Sequence, residues 1–333
     1  MSADVTGRAA SCDASREHTG CRKSVSEERQ PTVAILMSTF NGGEYLPAQL
    51  ESFLTQTHRD WILHWRDDGS SDHSVEVVRD FARSLTDRVC RYEGGGRLNV
   101  SGSFLKLLRQ SILGKAAIFA FADKDDVWLP EKLSRGVVAL SALPDGVPGL
   151  YCSGHILADA GLRPIGRSLP VRRPPSFPAA MTQNIAQGCT MMLNRAAAEL
   201  VAASQPADQT WHDWWSYIVV TAAGGQVLVD PAATMLYRQH ASNQVGNAGN
   251  LFRRGIGIMR RGRQPFMSLV RGHADALHRQ PQLLTQESRA QLAIISRGLS
   301  GNFSTRLAAL RMPGLRRQSW LEDIIFRLWY LLG

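Results

Sequence analysis

Two acidic clusters directly follow two apolar, β-prone segments of this chain. Residues 67–72 (DDGSSD) come after the segment 61–65, and residues 123–126 (DKDD) come after the segment 117–121. In an open α/β sheet, ligands bind outside the carboxyl ends of the strands, so both clusters are expected at one crevice. Like charges in a cleft repel each other unless a cation or a donor group lies between them. This chemistry favours a hard divalent cation that carries a phosphate ligand.

The hydrophobic pattern of residues 32–142 predicts the elements that would hold these clusters. A continuous apolar run at 32–39 is typical of a buried parallel strand, and helical spacing of apolar residues follows at 44–57. The alternation continues through strands at 61–67, 89–93 and 117–122 and helices at 72–84, 101–113 and 130–142. Repeated β–α units predict an α/β fold with a mostly parallel, Rossmann-like sheet and helices on both faces.

The pattern is weaker after residue 142. It predicts a strand at 150–158, a loop rich in Pro and Arg at 163–178, a strand at 190–194, helices at 195–204 and 213–223, and two short strands within 226–238. Three regions are therefore expected along the chain. They are a polar, disordered leader at 1–30, a catalytic domain at 31–245, and a basic, amphipathic helical extension at 246–333 with a linker at 246–249.

Composition limits the class of protein. The 333 residues are 44% hydrophobic and 20% charged, which is ordinary for a globular protein. The five cysteines show no disulfide or metal-site spacing, which favours a reducing compartment. The N-terminus lacks an apolar signal core, and no apolar run approaches the roughly 18 residues of a spanning helix. We therefore expect a cytoplasmic protein.

The positive charge lies at the C-terminal end. Residues 251–333 contain 14 arginines, no lysine and 4 acidic residues, which accounts for the net charge of +9 of the whole chain. Arginines and aromatic residues on amphipathic helices suit an anionic membrane surface, so peripheral contact with the inner face of the cell membrane is one interpretation. A helical appendage with a solvated basic face is the other, and both remain open. Nucleic acid is not an expected partner, because no nucleic-acid-binding module is recognisable.

Six short motifs carry a resemblance to a known family. In order along the chain they are STFNG at 38–42, DDGSSD at 67–72, DKDDVW at 123–128, QGCTM at 187–191, HDWW at 212–215 and YRQH at 237–240. Over about residues 32–245 the chain resembles inverting family 2 glycosyltransferases of the GT-A fold, and most of all the bacterial rhamnosyltransferase-type members. Phe40 stands where tyrosine is usual and Lys124 where glutamine or alanine is common. Neither position is expected to supply a ligand.

The resemblance implies how the donor nucleotide would be bound. Thr39 and Asn41 would contact the nucleotide, and Asp68, with Asp67 beside it, would accept the imide N–H of uracil or thymine. A buried acceptor discriminates against a base that lacks this N–H, because the acceptor would be left unpaired. The alternative interpretation of DDGSSD is a plain turn with a helix N-cap.

The resemblance also implies a metal site for Mg²⁺ or Mn²⁺. Asp125 would bind the ion that bridges the diphosphate, and Asp123 would hold the ribose or the metal. His240 would reach the metal or the diphosphate, with Arg238 nearby. Mg²⁺ typically takes one or two carboxylates plus phosphates and water, which fits this set. A solvated acidic loop that caps the helix at 130–142 is the alternative.

On the acceptor side, the resemblance makes Asp213 the catalytic base. It would take a proton from an acceptor hydroxyl, whose oxygen attacks the anomeric carbon from the face opposite the diphosphate, so that the configuration inverts. His212 and Trp214 would shape the acceptor pocket, and Gln187 and Gly188 would supply backbone that the acceptor approaches closely. The alternative for Asp213 is an acidic residue placed at a helix N-terminus by the helix dipole.

The predicted function is transfer of a sugar from a dTDP- or UDP-sugar to a saccharide or lipid-linked acceptor in surface polysaccharide biosynthesis, with rhamnose favoured by the resemblance. UDP-glucose or UDP-galactose are alternative donors. A nucleotidyltransferase is an alternative of another class, but it would need basic residues after the first strand, and residues 38–42 contain none.

Overall fold

The computed structural model describes residues 30–85, 87–92, 96–208, 210–240 and 262–333. The predicted leader, apart from Gln30, and the predicted linker at 246–249 lie outside these residues. From Pro31 onward the described residues form one compact unit.

The first half of the chain forms the parallel part of one nine-stranded sheet. Strand β1 lies between β2 and β4, and β3 pairs with the far side of β2, all in parallel. The apolar run of β1 is buried because helices cover both faces of the sheet. The predicted alternation is confirmed, with element ends shifted by a few residues. The elements are β1 (Val33–Thr39), α1 (Leu46–Leu54), β2 (Trp61–Asp67), α2 (Ser74–Arg83), β3 (Val89–Arg91), α3 (Asn99–Ser111) and β4 (Ile118–Ala122).

The second half adds strands of both directions. Strand β8 is antiparallel to β4 and β6, whereas β9 is parallel to β6 and antiparallel to β5. The sheet is therefore mixed here, with an overall order of β3-β2-β1-β4-β8-β6-β9-β5. The elements are β5 (Val127–Trp128), α4 (Lys132–Ser141), β6 (Gly149–Ala158), β7 (Pro164–Arg167), α5 (Phe177–Ala180), a 3₁₀ turn (Gly188–Thr190), β8 (Met191–Asn194), α6 (Arg195–Ala203), α7 (His212–Ala222) and β9 (Gln226–Arg238).

Two local predictions were wrong. The segment 163–178 is not all loop, because β7 pairs with the end of β6 and the short helix α5 follows. All four residues of β7 are exposed, so this edge strand has no apolar alternation to reveal it. Residues 226–238 form one strand with a shift in register near Pro231, rather than two strands. A proline cannot donate to the ladder and is typical of such an irregularity.

The register of the sheet brings the predicted site residues to one edge. Thr39 pairs with Asp67, and Met37 pairs with Ala122, so β1, β2 and β4 end together. Asn41 follows β1 with a φ of 48°, a left-handed conformation that asparagine tolerates better than most residues. The turn that it forms points the chain into α1.

Four α-helices follow the undescribed residues 241–261: α8 (Arg263–His278), α9 (Gln286–Ser300), α10 (Phe303–Leu310) and α11 (Trp320–Leu332). Side chains of α8, α9 and α11, among them Val270, Ile295 and Phe326, belong to the same buried cluster as Trp215 and Ile218 of α7. Thr285 and Asn302 cap α9 and α10 by accepting a backbone N–H with their side chains. None of the helices that the structure describes is both long and apolar enough to span a bilayer.

A glycine before β9 gives a stability prediction. A Cβ on Gly225 would lie 2.6 Å from the Pro148 carbonyl oxygen and 2.8 Å from that of Val220. Both carbonyls belong to backbone that cannot move without disturbing β6 or α7. We expect Gly225→Ala to lower the free energy of unfolding by about 1–3 kcal/mol, the usual cost of overpacking, as measured by urea denaturation.

The matched control is Gly272→Ala in α8. The nearest atom to a Cβ there is the Ala207 Cβ at 3.6 Å, so the gain in helix propensity of up to about 1 kcal/mol should prevail. Equal stabilities of the two variants would contradict the prediction.

Candidate active site

One cleft opens where β1, β2 and β4 end. Its volume is about 1440 Å³. Ten of the predicted site residues line it: Thr39, Asn41, Asp68, Asp123, Asp125, Gln187, Gly188, His212, Asp213 and Trp214. The other three, Asp67, Arg238 and His240, are not among the lining residues, and they contact those residues from the protein side.

Asp67 holds the loop after β2 in place. Its carboxylate accepts hydrogen bonds from Thr39 Oγ1 at 2.9 Å, from Ser70 Oγ at 2.6 Å, and from the backbone N–H groups of Gly69 and Ser70 at 3.0 and 2.8 Å. These are the contacts of the turn that was the alternative interpretation for this motif. In the structure Asp67 therefore ties β1 to β2 and shapes the turn.

Asp68 faces the cleft and is 5% exposed. Its Oδ1 accepts hydrogen bonds from Arg66 Nη1 at 2.6 Å and from the Leu98 backbone N–H at 2.7 Å. Among the described residues, the hydrogen bonds of this carboxylate all use Oδ1. The arrangement leaves Oδ2 as an acceptor for a ligand donor group, held in place by a buried guanidinium.

The loop after β1 is fixed by polar groups of the DDGSSD segment. Asn41 Oδ1 accepts from the Ser71 N–H at 2.9 Å, and the Asn41 N–H donates to Ser70 Oγ at 2.9 Å. Asp72, which the sequence did not single out, accepts the Gly43 N–H at 2.9 Å. The loops after β1 and β2 are thereby locked to one another.

The second acidic cluster carries three adjacent carboxyl groups. Asp125 Oδ2 lies 2.9 Å from His240 Nε2 and 3.2 Å from Lys124 Nζ. Arg238 donates from Nε to the Asp125 carbonyl at 2.8 Å, and from its backbone N–H to Asp126 Oδ1 at 3.2 Å. The chain after β9 thus supplies cationic and polar partners that hold this loop.

Burial changes the proton affinity of the cluster. Burial, and next the neighbouring Asp125 carboxylate, raise the pKa of Asp123 to about 7. The same two causes raise the pKa of the buried Asp126 well above its usual range. Asp126 Oδ2 has no hydrogen-bond partner among the described residues. A cation brought into the cleft would therefore stabilise the ionised form of these carboxyl groups.

Lys132 is a buried cation that the sequence analysis missed. Its side chain is inaccessible to solvent, and its Nζ donates to the Cys189 carbonyl at 2.9 Å. Burial lowers its pKa to about 8, against the attraction of Asp126 and Asp123. The sequence did contain a signal for this burial. Lys132 lies on the same face of α4 as Gly136, four residues later, and that face is the buried one.

The chemistry of the donor set fits a hard divalent cation. Asp123 and Asp125 present carboxylate oxygens to the cleft, which are the ligands that Mg²⁺ prefers. One ligand atom each from Asp123, Asp126 and Cys189 also lie within 4.8 Å of one another. Cys189 is a poor member of that set, because burial raises the pKa of its thiol well above the usual value and a protonated thiol is not a ligand. The carboxylates are the better candidates.

Asp213 lies at the start of α7 and lines the cleft. Its carboxylate accepts the backbone N–H groups of Gly188 at 3.0 Å and Trp214 at 2.6 Å. Burial raises its pKa to about 6, although those N–H groups and the Asn184 side chain oppose the shift. A carboxylate with this pKa is ionised near neutral pH and binds protons more strongly than an exposed aspartate, which suits a general base.

His212 and Trp214 enclose Asp213. His212 stacks on Phe104 with ring centroids 4.2 Å apart, and burial lowers its pKa to about 3, so it stays neutral. Neither ring nitrogen has a hydrogen-bond partner among the described residues. Trp214 Nε1 donates to the Ala180 carbonyl at 2.7 Å. A Cβ on Gly188 would lie 2.8 Å from His212 Nε2, so only glycine leaves room for this ring.

Comparison with known proteins gives this cleft its context. Residues 34–166 match the family described as Glycosyl transferase family 2. The chain is 27% identical over 229 residues to dTDP-rhamnosyl transferase RfbG of Shigella flexneri, covering 63% of this chain and 73% of that protein. It is 30% identical over 125 residues to UDP-Glc:alpha-D-GlcNAc-diphosphoundecaprenol beta-1,3-glucosyltransferase WfgD of Escherichia coli, covering 38% of this chain and 46% of that protein.

Solved structures show the same fold at low identity. S. aureus TarS 1-349 in complex with UDP-GlcNAc superposes with a TM-score of 0.52 at 12% identity, covering 84% of each chain. GalNAc-T7 with UDP, GalNAc and Mn²⁺ gives a TM-score of 0.53 at 12% identity, covering 91% of this chain and 58% of that one.

The fold and the comparisons define the class of protein. It has a GT-A type α/β fold, which confirms the predicted fold class. It is an enzyme of the glycosyltransferase class, and the part that matches the family 2 model runs from β1 to β7.

The raised pKa of Asp213 predicts a pH-dependent stability difference. The pKa of Asp213 in the folded state, about 6, exceeds the ordinary aspartate value of 3.8, so ionisation destabilises the fold as pH rises from about 4 to 6. An asparagine cannot ionise. Relative to wild type, Asp213→Asn should therefore gain roughly 2–3 kcal/mol of unfolding free energy between pH 4 and 7, as measured by urea denaturation at several pH values.

Asp230→Asn is the control of opposite sign. Burial tends to raise the pKa of Asp230. Hydrogen bonds from Arg135, Ala232 and Tyr151 outweigh burial and hold this pKa below its usual value. That stabilisation is complete above about pH 4 and is lost below it. Relative to wild type, Asp230→Asn should gain no unfolding free energy between pH 4 and 7. A gain equal to that of Asp213→Asn would refute the assignment of a raised pKa to Asp213.

Proposed function

We propose that this glycosyltransferase moves a sugar, with rhamnose favoured, from a dTDP- or UDP-sugar to a saccharide or lipid-linked saccharide acceptor, and that the anomeric configuration inverts. The product would belong to a surface polysaccharide. The similarity to the dTDP-rhamnosyl transferase RfbG supports the donor, and the similarity to the glucosyltransferase WfgD, which acts on a diphosphoundecaprenol-linked sugar, supports the acceptor class.

One observation carries the proposal. The Asp213 carboxylate lines the same cleft as Asp68, Asp123 and Asp125, and it is carried by a different element, the start of α7 rather than the ends of β2 and β4. Inversion in a single displacement needs a base on the face of the sugar opposite the leaving diphosphate. A cleft with a donor-side acidic cluster and a separate acceptor-side carboxylate meets that requirement.

Each wall has its own task in the proposed reaction. Asp68 Oδ2 accepts the imide N–H of the base, and the loop at Thr39 and Asn41 lies against the nucleotide. Asp123 and Asp125 would hold Mg²⁺ or Mn²⁺, which neutralises charge on the leaving diphosphate when it is bound. Asp213 accepts the proton of the acceptor hydroxyl, and the neutral His212 and Trp214 exclude water around it.

The cysteines support the expected cytoplasmic location. Cys90, Cys152 and Cys189 are free thiols, as expected in a reducing compartment. The identity of the donor sugar is a separate question. The similarity to WfgD does not distinguish rhamnose from glucose or galactose, so UDP-glucose or UDP-galactose is the second candidate donor.

The decisive test is a panel of nucleotide sugars assayed for transfer or hydrolysis with Mg²⁺, Mn²⁺ or EDTA. We expect wild type to consume one dTDP- or UDP-sugar only with metal. Asp125→Ala should lose metal-dependent nucleotide binding, because a carboxylate ligand is gone. Asp213→Asn should bind the donor with unchanged affinity but transfer about 10²–10⁴ times more slowly, because the base is gone.

Asp80→Asn provides the control, since its side chain is 65% exposed on α2, away from the cleft; it should behave as wild type. Absence of binding to every nucleotide sugar, with metal present, would refute the proposed donor. Full transfer activity in Asp213→Asn would refute the proposed base.

The hydrogen bonds of Asp68 predict a change of base preference. Arg66 and Leu98 both donate to Oδ1, so in Asp68→Asn the amide oxygen should take that place and the NH₂ group the place of Oδ2. An NH₂ group repels the imide N–H of uracil but can donate to N3 of cytosine. We expect UDP to bind to the variant at least tenfold more weakly than to wild type. CDP should bind to the variant as tightly as UDP does, or more tightly.

Isothermal titration of UDP and CDP with both proteins measures this change. Asp67→Asn is the comparison, because Asp67 bonds within its own turn and should not exchange the preference. A uniform loss of both nucleotides in Asp68→Asn would mean that the residue only supports the loop.

A further inference from the structure

The last helix of the chain has an unusual distribution of side chains. Trp320, Ile324, Leu328 and Leu332 of α11 are 68%, 47%, 54% and 68% exposed. They recur every four residues, slightly more than the 3.6 residues of one helical turn, so they form one stripe along the helix. We call these four residues the α11 stripe.

The charged residues of α11 face inward. Glu322 is 2% exposed and Asp323 is 8% exposed. Glu322 pairs with Arg317 at 3.1 Å, and Asp323 pairs with Arg327 at 2.9 Å. Leu321, Ile325 and Leu331 lie beside the stripe and are only partly buried, and the charged residue that flanks it, Arg327, is paired with Asp323. The surface helix thus presents its apolar side outward, the reverse of a solvated helix.

The stripe continues into the cleft. Trp320, its first residue, also lines the cleft, together with Phe266, Arg172 and Arg173. The backbone N–H groups of Arg172 and Arg173 donate to Gln318 Oε1 at 2.8 and 2.9 Å. Gln318 stands two residues before Trp320, so the loop before α5 and the start of α11 form one rim of the cleft mouth.

The charges around this rim are positive. Arg172 and Arg316 are exposed, and neither forms an ion pair with a carboxylate among the described residues. The acids nearest in sequence, Glu322 and Asp323, are buried and already paired. An exposed apolar stripe with a tryptophan at one end and arginines beside it has the chemistry of a surface for anionic lipid headgroups.

We propose that the α11 stripe docks on an anionic lipid bilayer and holds the mouth of the cleft against the membrane. The stripe enters the interface between headgroups and acyl chains, Arg172 and Arg316 contact the headgroups, and Trp320 lies at the boundary, where tryptophan is favoured. An acceptor carried by a membrane lipid then reaches Asp213 without leaving the bilayer. The docking itself needs neither donor nor acceptor, so it is tested independently of the proposed reaction.

The test is flotation of the full chain with vesicles of phosphatidylglycerol and phosphatidylethanolamine, compared with vesicles of phosphatidylcholine. We expect wild type to bind the anionic vesicles and to be released by high salt. The double variant Ile324→Gln with Leu328→Gln should bind at least about tenfold more weakly, because the buried apolar area is lost. Neither residue lines the cleft, so nucleotide binding should be unchanged.

Matched controls distinguish binding through the α11 stripe from nonspecific hydrophobic binding and from nonspecific electrostatic binding. Ile294→Gln removes an apolar side chain of similar exposure, 42%, on α9, and should bind vesicles as wild type does. Arg316→Gln should weaken binding about fivefold, whereas Arg279→Gln, an exposed arginine at the end of α8, should change it less.

Three results would overturn the proposal. One is a wild-type protein that binds no anionic vesicle, and another is a stripe variant that binds as well as wild type. The third is a wild-type dimer in sedimentation velocity that the stripe variant converts to a monomer. That result would make a second copy of this chain the occupant of the stripe.

Discussion

The accumulation of negative charge at the end of β4 is the constraint on which the site depends. Residues 123–126 place three carboxyl groups side by side, and burial raises the pKa of Asp123 and Asp126. Side chains from separate elements offset this charge: Lys132 of α4 and Arg238 at the end of β9 are cationic, and His240 contacts the Asp125 carboxylate. The loop keeps its conformation only while these elements stay in place.

This constraint explains the long ninth strand. β9 begins in register with β6, shifts near Pro231, and then pairs with β5 through Met235 and Leu236. Its pairing with β6 also resumes after the shift and continues to Arg238, so both neighbours carry Arg238 and His240 to the acidic loop. A sheet that ended at the shift would leave Asp125 and Asp126 without their partners, so the mixed half of the sheet serves the charge balance of the parallel half.

The sequence predicts an element or a site residue where the contacts that determine it are local. It does not do so where those contacts come from distant parts of the chain. The strands β1, β2 and β4 were predicted because their apolar runs are continuous, and the position of the acidic clusters followed from the strand ends. Lys132 falls on the apolar stripe of α4, but its hydrogen-bond partner, the Cys189 carbonyl, is 57 residues away in sequence and could not be predicted. Likewise, Glu322 and Asp323 suggest a solvated face of α11, but Arg317 and Arg327 draw them inward.

The two walls of the cleft stabilise their carboxylates in different ways, and this difference matters for reactivity. Asp123 depends on neighbouring cations, whereas Asp213 depends on the N–H groups of Gly188 and Trp214 at a helix start. The charge on Asp213 also contributes to the raised pKa of Asp123, and such coupling is mutual. Neutralising Asp123, by a proton or a cation, therefore lowers the proton affinity of Asp213. Asp213 is therefore most readily ionised when the charge of Asp123 is balanced, which links the protonation states of the two carboxylates in the cleft.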